Sequence, residues 1–447
     1  MFNFLFTWTP LRFMIQNLWR DEAFTYLLAK KNIGEILLLT AKDFNPPLYY
    51  LLVHVWITIC GGSEISLRVP SLLFFSGTIY ISYLFMKDVL KVKGVWIYLY
   101  LFLFILNPLL VYYAFEARMY SMLAFLALAS SYTFFTNKKK TYLLSTILGL
   151  YTHYFMVFVL LTQAIIFLSL KFHKRKHEKI IPFQYFLYSL AAFIPWIVFL
   201  LLHKSTDSFS TWITSPILSD IFHVFGILYT GYETDFHFLS FGSSTFIPFL
   251  VASSALLLTI CAGELYLYIE RNKKKEHHDI LPYLLTASVL LPFFIFIIAF
   301  IHPLFLPRYL IYSTPLFLLL LVYLLHHHPP LLKIIFFAGL IYIALHYQIL
   351  QTTYRTKADI KKVLQEIKYL AHDNDILYVE NELDYFLGEY YFQEDKVFIY
   401  NKTYEELRFY IGKILIPKDH VTSALPSYPQ RAFVLRQNGT YQILSAY

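Results

Sequence analysis

Long apolar blocks separated by short charged clusters run through the first 350 residues of the chain. A helix needs roughly 20 apolar residues to cross a hydrocarbon core of about 30 Å. On that measure the blocks at 3–19, 66–86, 94–112, 119–136, 141–153, 154–171, 181–202, 245–269, 280–301, 309–326 and 331–350 are expected to cross, about eleven helices in all. The apolar stretch at 46–60 stands apart, because about 15 residues of helix reach only about 22 Å. It reads as an interfacial helix lying on the membrane surface. The pair 141–153 and 154–171 is also short. Its polar turn, Tyr151-Thr152-His153-Tyr154, is expected to stop below the surface and line a cavity, where polar backbone is tolerated. The first block holds Pro10, Arg12 and Gln16 and barely suffices to cross, as a truncated or misassigned start would leave it.

The pattern changes after Gln351. Ile360, Val363, Leu364, Ile367 and Leu370 repeat at helical spacing, and 376–379, 397–400, 433–435 and 441–444 read as strands. Helices are expected near 384–392 and 404–411, and Asn438-Gly439 is a hairpin turn. The expected fold is therefore an all-α polytopic membrane domain over 1–350, with an interfacial loop at 20–62 and an external loop at 204–244. A small α/β soluble domain follows over 351–447.

Composition agrees with this division. The chain is 58% hydrophobic and 15% charged, with a mean hydropathy of +0.54, against roughly 25% charged in soluble domains. The net charge of +8 comes from clusters between apolar runs, at 87–93, 138–140, 171–179 and 271–275. Such clusters mark topology and do not point to nucleic acid. All four fall on one side if each block crosses once, which makes that side cytoplasmic, together with the amino terminus. Asp21-Glu22, Glu116, Arg118, the 204–244 loop, Arg308 and the C-terminal domain then lie outside, as expected of a multi-pass protein of the cell membrane. Cys60 and Cys261 imply no disulfide framework, and no cleavage site marks a signal peptide.

Charges at the ends of apolar runs carry the chemistry. Asp21 reads either as the cap of the helix beginning at Ala23 or as a general base whose proton affinity rises at a partly dry boundary, and Glu22 beside it can take either part. Glu116-Ala117-Arg118 reads as a local ion pair, or as a carboxylate that helps hold the acceptor or a metal beside a phosphate-facing guanidinium. Arg308, a cation at an external helix end, suits an anionic headgroup or a substrate phosphate. His153 is a structural histidine, a proton relay or a hydrogen-bond donor to phosphate. Aromatic residues of the 204–244 loop, Trp212, Tyr229 and Tyr232, would close over a substrate or anchor at the interface. Asp373-Asn374-Asp375 imitates a metal motif but reads as a turn, and a metal role for His326-His327-His328 is not indicated. The sequons at Asn401 and Asn438 are too short to carry weight.

In order, Leu18-Trp19-Arg20-Asp21-Glu22-Ala23-Phe24, Asp43-Phe44-Asn45-Pro46-Pro47-Leu48-Tyr49-Tyr50, Arg68-Val69-Pro70-Ser71, Glu116-Ala117-Arg118-Met119-Tyr120, Tyr151-Thr152-His153-Tyr154 and Pro307-Arg308-Tyr309-Leu310 resemble glycosyltransferase family 39-like proteins. These belong to the GT-C superfamily, with protein O-mannosyltransferases and lipid A aminoarabinose transferases as relatives. The resemblance covers residues 18 to about 350. It implies a membrane enzyme that moves a hexose or pentose, with inversion, from a polyprenyl-phosphate carrier to a glycan, lipid or protein acceptor outside the membrane. The catalytic base carries over to Asp21 with Glu22 beside it, and the second acidic motif to Glu116. Asn45 stands where many relatives have His, which leaves hydrogen bonding but no proton transfer. Asn45, Tyr50, Arg118, Tyr120, His153, Arg308 and Tyr309 are the expected substrate-binding residues. No cofactor is required and a divalent metal is left open. Two rivals remain: a transporter or flippase of lipid-linked saccharides, and a non-catalytic relative that binds lipid-linked glycan.

Overall fold

The computed structural model describes residues 6–43, 45–172, 180–204, 213, 215–232, 243–274, 280–355, 357 and 359–446. The chain divides into two units. One comprises Met1–Met14, Arg68–Val198 and Ile213–Arg355; the other comprises Ile15–Leu67, Phe199–Trp212 and Thr356–Tyr447. The division departs from a single cut near residue 350, since the expected interfacial loop groups with the C-terminal segment.

The first unit is helical, as it must be where no water meets backbone N–H and C=O groups. Helix Thr314–His327 is buried from Thr314 through Leu325 and forms a core apolar on every face. Helices Glu64–Asp88, Gln184–His203 and Pro330–Tyr354 instead expose large apolar residues, among them Leu73, Ile194, Ile335 and Tyr342, which is the surface a bilayer covers. These three helices and Ile280–Ile298 are long and apolar enough to cross a membrane. The pair Trp96–Ile105 and Pro108–Ala114, bent by 61°, makes a fifth. The bend has a cause in sequence: Asn107 caps the second helix by accepting the Leu110 N–H at 3.0 Å, and Pro108 has no N–H to continue the first. Tyr120–Thr136, Lys139–Thr152 and Met156–Phe172 are shorter helices of the same unit. The span over 280–301 contains a π-helical stretch, Thr286–Leu290.

The expected first crossing over 3–19 is not one continuous helix. Helix is interrupted at Thr9-Pro10, where proline cannot donate within a helix, and ends again after Ile15. Arg12 there donates to the Thr352 carbonyl at 3.0 Å.

In the second unit the C-terminal segment opens with helix Ile360–Leu370, whose buried face carries Leu364 and Ile367. Strands β1 (Ile376–Val379), β2 (Val397–Tyr400), β3 (Val421–Thr422), β4 (Ala432–Leu435) and β5 (Tyr441–Leu444) form a sheet of order β3-β2-β1-β4-β5. β1 pairs in parallel with both β2 and β4, while β4 and β5 are antiparallel around the Asn438-Gly439 turn. Helix Tyr385–Tyr391 connects β1 to β2. β3, only two residues long, was not foreseen. The helix expected over 404–411 is a bend ending in a one-turn 3-10 helix, Phe409–Ile411, closed by Gly412 at φ +90°. Only glycine adopts that angle freely, and a Cβ there would lie 2.7 Å from the Phe24 ring. Asp373-Asn374-Asp375 is a turn, as read: Asp375 accepts the His372 N–H at 2.7 Å and the Arg431 Nε at 3.0 Å.

Candidate active site

In the second unit the chain is extended at Trp19 and turns into helix Arg20–Lys30. Asp21 and Glu22 fall in its first turn, where the helix dipole favours carboxylates. Their surroundings differ. Glu22 is fully buried; it accepts the Trp19 N–H at 3.3 Å and the Lys357 Nζ at 2.6 Å, with Lys357 itself only 4% exposed. It is therefore the cap, closing the helix start. Asp21 keeps 17% side-chain exposure and pairs with Arg20 at 3.0 Å. The two carboxylates thus differ in burial.

Helix Leu48–Cys60 starts behind Pro47 and is about 20 Å long. It packs on helix Arg20–Lys30: His54 Nδ1 lies 2.7 Å from the Ala29 carbonyl, and buried Tyr50 meets Phe24 edge-on at 6.3 Å. Asn45 is half-buried just ahead of it. Tyr50 thus packs these two helices of the loop together.

In the first unit Glu116 and Arg118 are both buried in a tight turn, the Arg118 N–H donating to the Glu116 carbonyl at 2.8 Å. Ser71 of the Arg68-Val69-Pro70-Ser71 motif donates to the Arg118 carbonyl at 3.2 Å, and Arg68 is buried with its guanidinium on the Met14 carbonyl at 2.9 Å. From Arg118 a line of rings follows. The guanidinium lies 5.9 Å from the Tyr120 ring, Tyr120 lies 6.2 Å from His153, and His153 lies 5.5 Å from Tyr309. The Phe155 N–H donates to His153 Nδ1 at 3.1 Å, so the proton of the neutral ring sits on Nε2. Arg308, next to Tyr309, is 3% exposed. The structure thus brings Arg118, Tyr120, His153 and Tyr309 together, with Glu116 and Arg308 one or two residues from the line. Asp21, Glu22, Asn45 and Tyr50 lie in the other unit.

Trp212 lies outside the described residues, as do 173–179 and Lys275 of the basic clusters. Tyr229 is no lid: it is buried in helix Val224–Thr230 and its hydroxyl donates to the Leu340 carbonyl at 2.9 Å. Among the described residues no group of three His, Cys, Asp or Glu side chains could hold a metal ion. Sequence reading missed Lys357, which a search for a cation to neutralise the buried member of Asp21-Glu22 would have raised as one of several lysines past the last apolar run.

No protein-family model matches the chain, and no curated protein matches it by sequence. Solved structures do. The chain is similar to ArnT from Cupriavidus metallidurans bound to undecaprenyl phosphate, at 11% identity over 97% of this chain and 91% of that one, with a TM-score of 0.61. The apo ArnT structure matches with a TM-score of 0.55 at 10% identity, over 87% of this chain and 82% of that one. The oligosaccharyltransferase AglB from Archaeoglobus fulgidus, in complex with an inhibitory peptide and a dolichol-phosphate, matches at 11% identity over 99% of this chain and 71% of that one, with a TM-score of 0.54. The fold is GT-C. Within that fold the present chain is a multi-pass membrane protein with a small C-terminal sheet.

Proposed function

We propose that the chain is a membrane glycosyltransferase that moves a hexose or pentose from a polyprenyl-phosphate donor to a glycan, lipid or protein acceptor, with inversion. The observation that carries this reading is the division of labour at the start of helix Arg20–Lys30, in a GT-C fold. Glu22 is held in a buried ion pair and a backbone cap, while Asp21, paired with Arg20, keeps 17% side-chain exposure. In this reading about eleven helices cross the membrane, with the amino terminus cytoplasmic and residues 351–447 external.

The chemistry balances simply. The acceptor oxygen attacks the anomeric carbon, the bond from that carbon to the phosphate oxygen breaks, and the polyprenyl phosphate leaves with the electron pair. Asp21 takes the acceptor proton. Arg118 and Arg308 meet the charge that grows on the leaving phosphate, Arg through its planar fork. Glu116 orients the acceptor. His153, with its proton on Nε2, can donate a hydrogen bond to a phosphate or sugar oxygen, and the Tyr120 and Tyr309 rings flank it. Purified protein incubated with a panel of undecaprenyl-phosphate sugars is the test: one donor is consumed by the wild type and not by Asp21→Asn, which still binds undecaprenyl phosphate. Full turnover in Asp21→Asn removes the base assignment, and consumption of none of the donors removes the transferase reading.

A further inference from the structure

Lys357 was singled out by no motif. It follows the last long apolar helix, Pro330–Tyr354, and precedes helix Ile360–Leu370, in what sequence alone presents as a linker. Its ammonium is nearly sequestered from solvent and 2.6 Å from a carboxylate with no exposure at all. Such a pair is expensive to desolvate, so its presence needs a reason beyond stability.

The partner supplies the reason. Glu22 Oε2 receives both Lys357 and the Trp19 N–H, so the lysine reaches the first backbone donor of helix Arg20–Lys30 through one carboxylate. Asp21 is the adjacent residue in that same first turn, and its backbone carbonyl is itself held by Thr25 Oγ1 at 2.8 Å. Further contacts from the C-terminal segment act on the same loop. Lys361 pairs with Glu64 at 2.9 Å, the Tyr391 hydroxyl donates to Glu64 and accepts the Leu18 N–H at 2.8 Å, and Phe386 meets Phe24 at 5.5 Å. The loop is gripped at its start, through Leu18 and Glu22, and at its end, through Glu64. Of the two ion pairs in this grip, the one at Glu22 is buried on both sides and the one at Glu64 is partly exposed.

We infer that Lys357 is a positioning residue for the transfer reaction: through Glu22 it fixes the first turn of helix Arg20–Lys30 and thereby sets Asp21. This rests on the assignment of Asp21 as base. It makes the C-terminal segment part of the catalytic apparatus.

The test uses the full-length protein with Lys357→Met, Lys357→Arg, Glu22→Gln and the double variant Glu22→Gln/Lys357→Met. Displacing a reacting group by about 1 Å costs on the order of 100-fold in rate, so Lys357→Met is expected to lower turnover of the consumed donor by that order. Its affinity for undecaprenyl phosphate should stay within about twofold of wild type, a split between turnover and binding that general unfolding would not give. Lys357→Arg should restore about tenfold of the loss, because the cation returns. The double variant should exceed Lys357→Met in turnover, because a neutral buried pair leaves no uncompensated charge. Amide hydrogen exchange reads the same idea without any donor: Lys357→Met should raise exchange across residues 19–25 and leave helix Tyr120–Thr136 unchanged. Turnover above half of wild type in Lys357→Met, an equal loss of lipid-phosphate affinity, or unaltered exchange at 19–25 would each overturn the inference. If the wild type consumes no donor, the transferase reading fails while the exchange experiment still decides the role of Lys357.

Discussion

The two acidic motifs of this chain solve the same problem in different ways. In the unit that contains the C-terminal sheet, Asp21-Glu22 is held by discrete ion pairs and hydrogen bonds, Glu22 to Lys357 and Asp21 to Arg20. In the helical unit, Glu116-Ala117-Arg118 is a buried turn whose guanidinium begins a row of rings, Tyr120, His153 and Tyr309. The first arrangement meets each carboxylate with a discrete cation, Lys357 for Glu22 and Arg20 for Asp21. Within a helical membrane unit a displaced charge finds no water, so shape and aromatic faces must hold it. The difference implies that the first cluster responds to changes of charge in its partners, and the second to packing.

The largest effects come from breaking each cluster at its buried member. Glu22→Ala leaves the Lys357 ammonium buried and unpaired, a loss of about 3–5 kcal/mol. Tyr120→Ala removes a buried ring that meets Tyr113 at 4.8 Å as well as His153, and large-to-small changes of this kind cost about 3–5 kcal/mol. Thermal unfolding in detergent checks both. The comparison predicts a contrast in repair: Lys357→Met should rescue Glu22→Ala, whereas no charge change should rescue Tyr120→Ala. Rescue of both, or of neither, would erase the distinction.

A pH experiment sharpens the contrast by about 3 kcal/mol. In the C-terminal segment, burial pushes the Glu389 carboxyl up from 4.5 to about 7, with Asp395 and Glu394 adding to the rise. Burial likewise pushes Asp384 up to about 6. The folded state therefore prefers both acids protonated. Their contribution is fully present below the ordinary carboxyl range and is lost as pH rises through 6 to 7. Asp375 works the other way: burial acts to raise it, but Arg431 and backbone N–H groups hold it below the ordinary range, so its contribution is lost only in strong acid. Between pH 5 and pH 8 the sheet-bearing segment should lose stability, and Glu389→Gln should remove most of the slope. An unchanged slope in Glu389→Gln, followed by hydrogen exchange in β1 and β2, would refute the assignment.

Much of this arrangement could be read from the residues alone, and the unread parts share a cause. Blocks of apolar residues located most helices within a few positions, because the bilayer's thickness sets a length that sequence can be measured against. The same rule failed at 3–19, where Pro10 interrupts a block that has the right composition but too little regularity. Four strands were legible from runs such as Ile376–Val379, while β3 was not, since two residues carry no period. The Arg118, Tyr120, His153 and Tyr309 cluster joins motifs nearly 200 residues apart, and each motif announced itself by charge or aromatic character at a helix end. Lys357 did not, because one lysine among several in a polar stretch has no local signature. What distinguishes it is burial, which arises only when the C-terminal segment meets the first loop.

A smaller effect returns to the helical unit. Arg308 is buried beside Tyr309, and if it faces the donor phosphate, Arg308→Ala should weaken undecaprenyl-phosphate affinity roughly tenfold, with Arg308→Lys intermediate because it keeps the charge and loses the planar fork. Equal affinities measured by tryptophan quenching or microscale binding would place Arg308 in packing alone.

The smallest expected effect isolates what burial adds to an ion pair. Lys361 and Glu64 have nearly the same separation as Lys357 and Glu22, 2.9 Å against 2.6 Å, but their side chains are 29% and 17% exposed. Exposed pairs contribute only about 0.2–1 kcal/mol, because water screens the attraction and two long side chains lose freedom. Lys361→Met should therefore lower the unfolding free energy by less than about 1 kcal/mol, and at 1 M salt, where the screening length falls to about 3 Å, the variant and wild type should converge. Lys357→Met should show no such convergence, since salt does not reach a pair with 4% and 0% exposure. If both variants converge with salt, the Glu22 pair is wetter than its geometry indicates, and the grip on Asp21 is an ordinary surface contact.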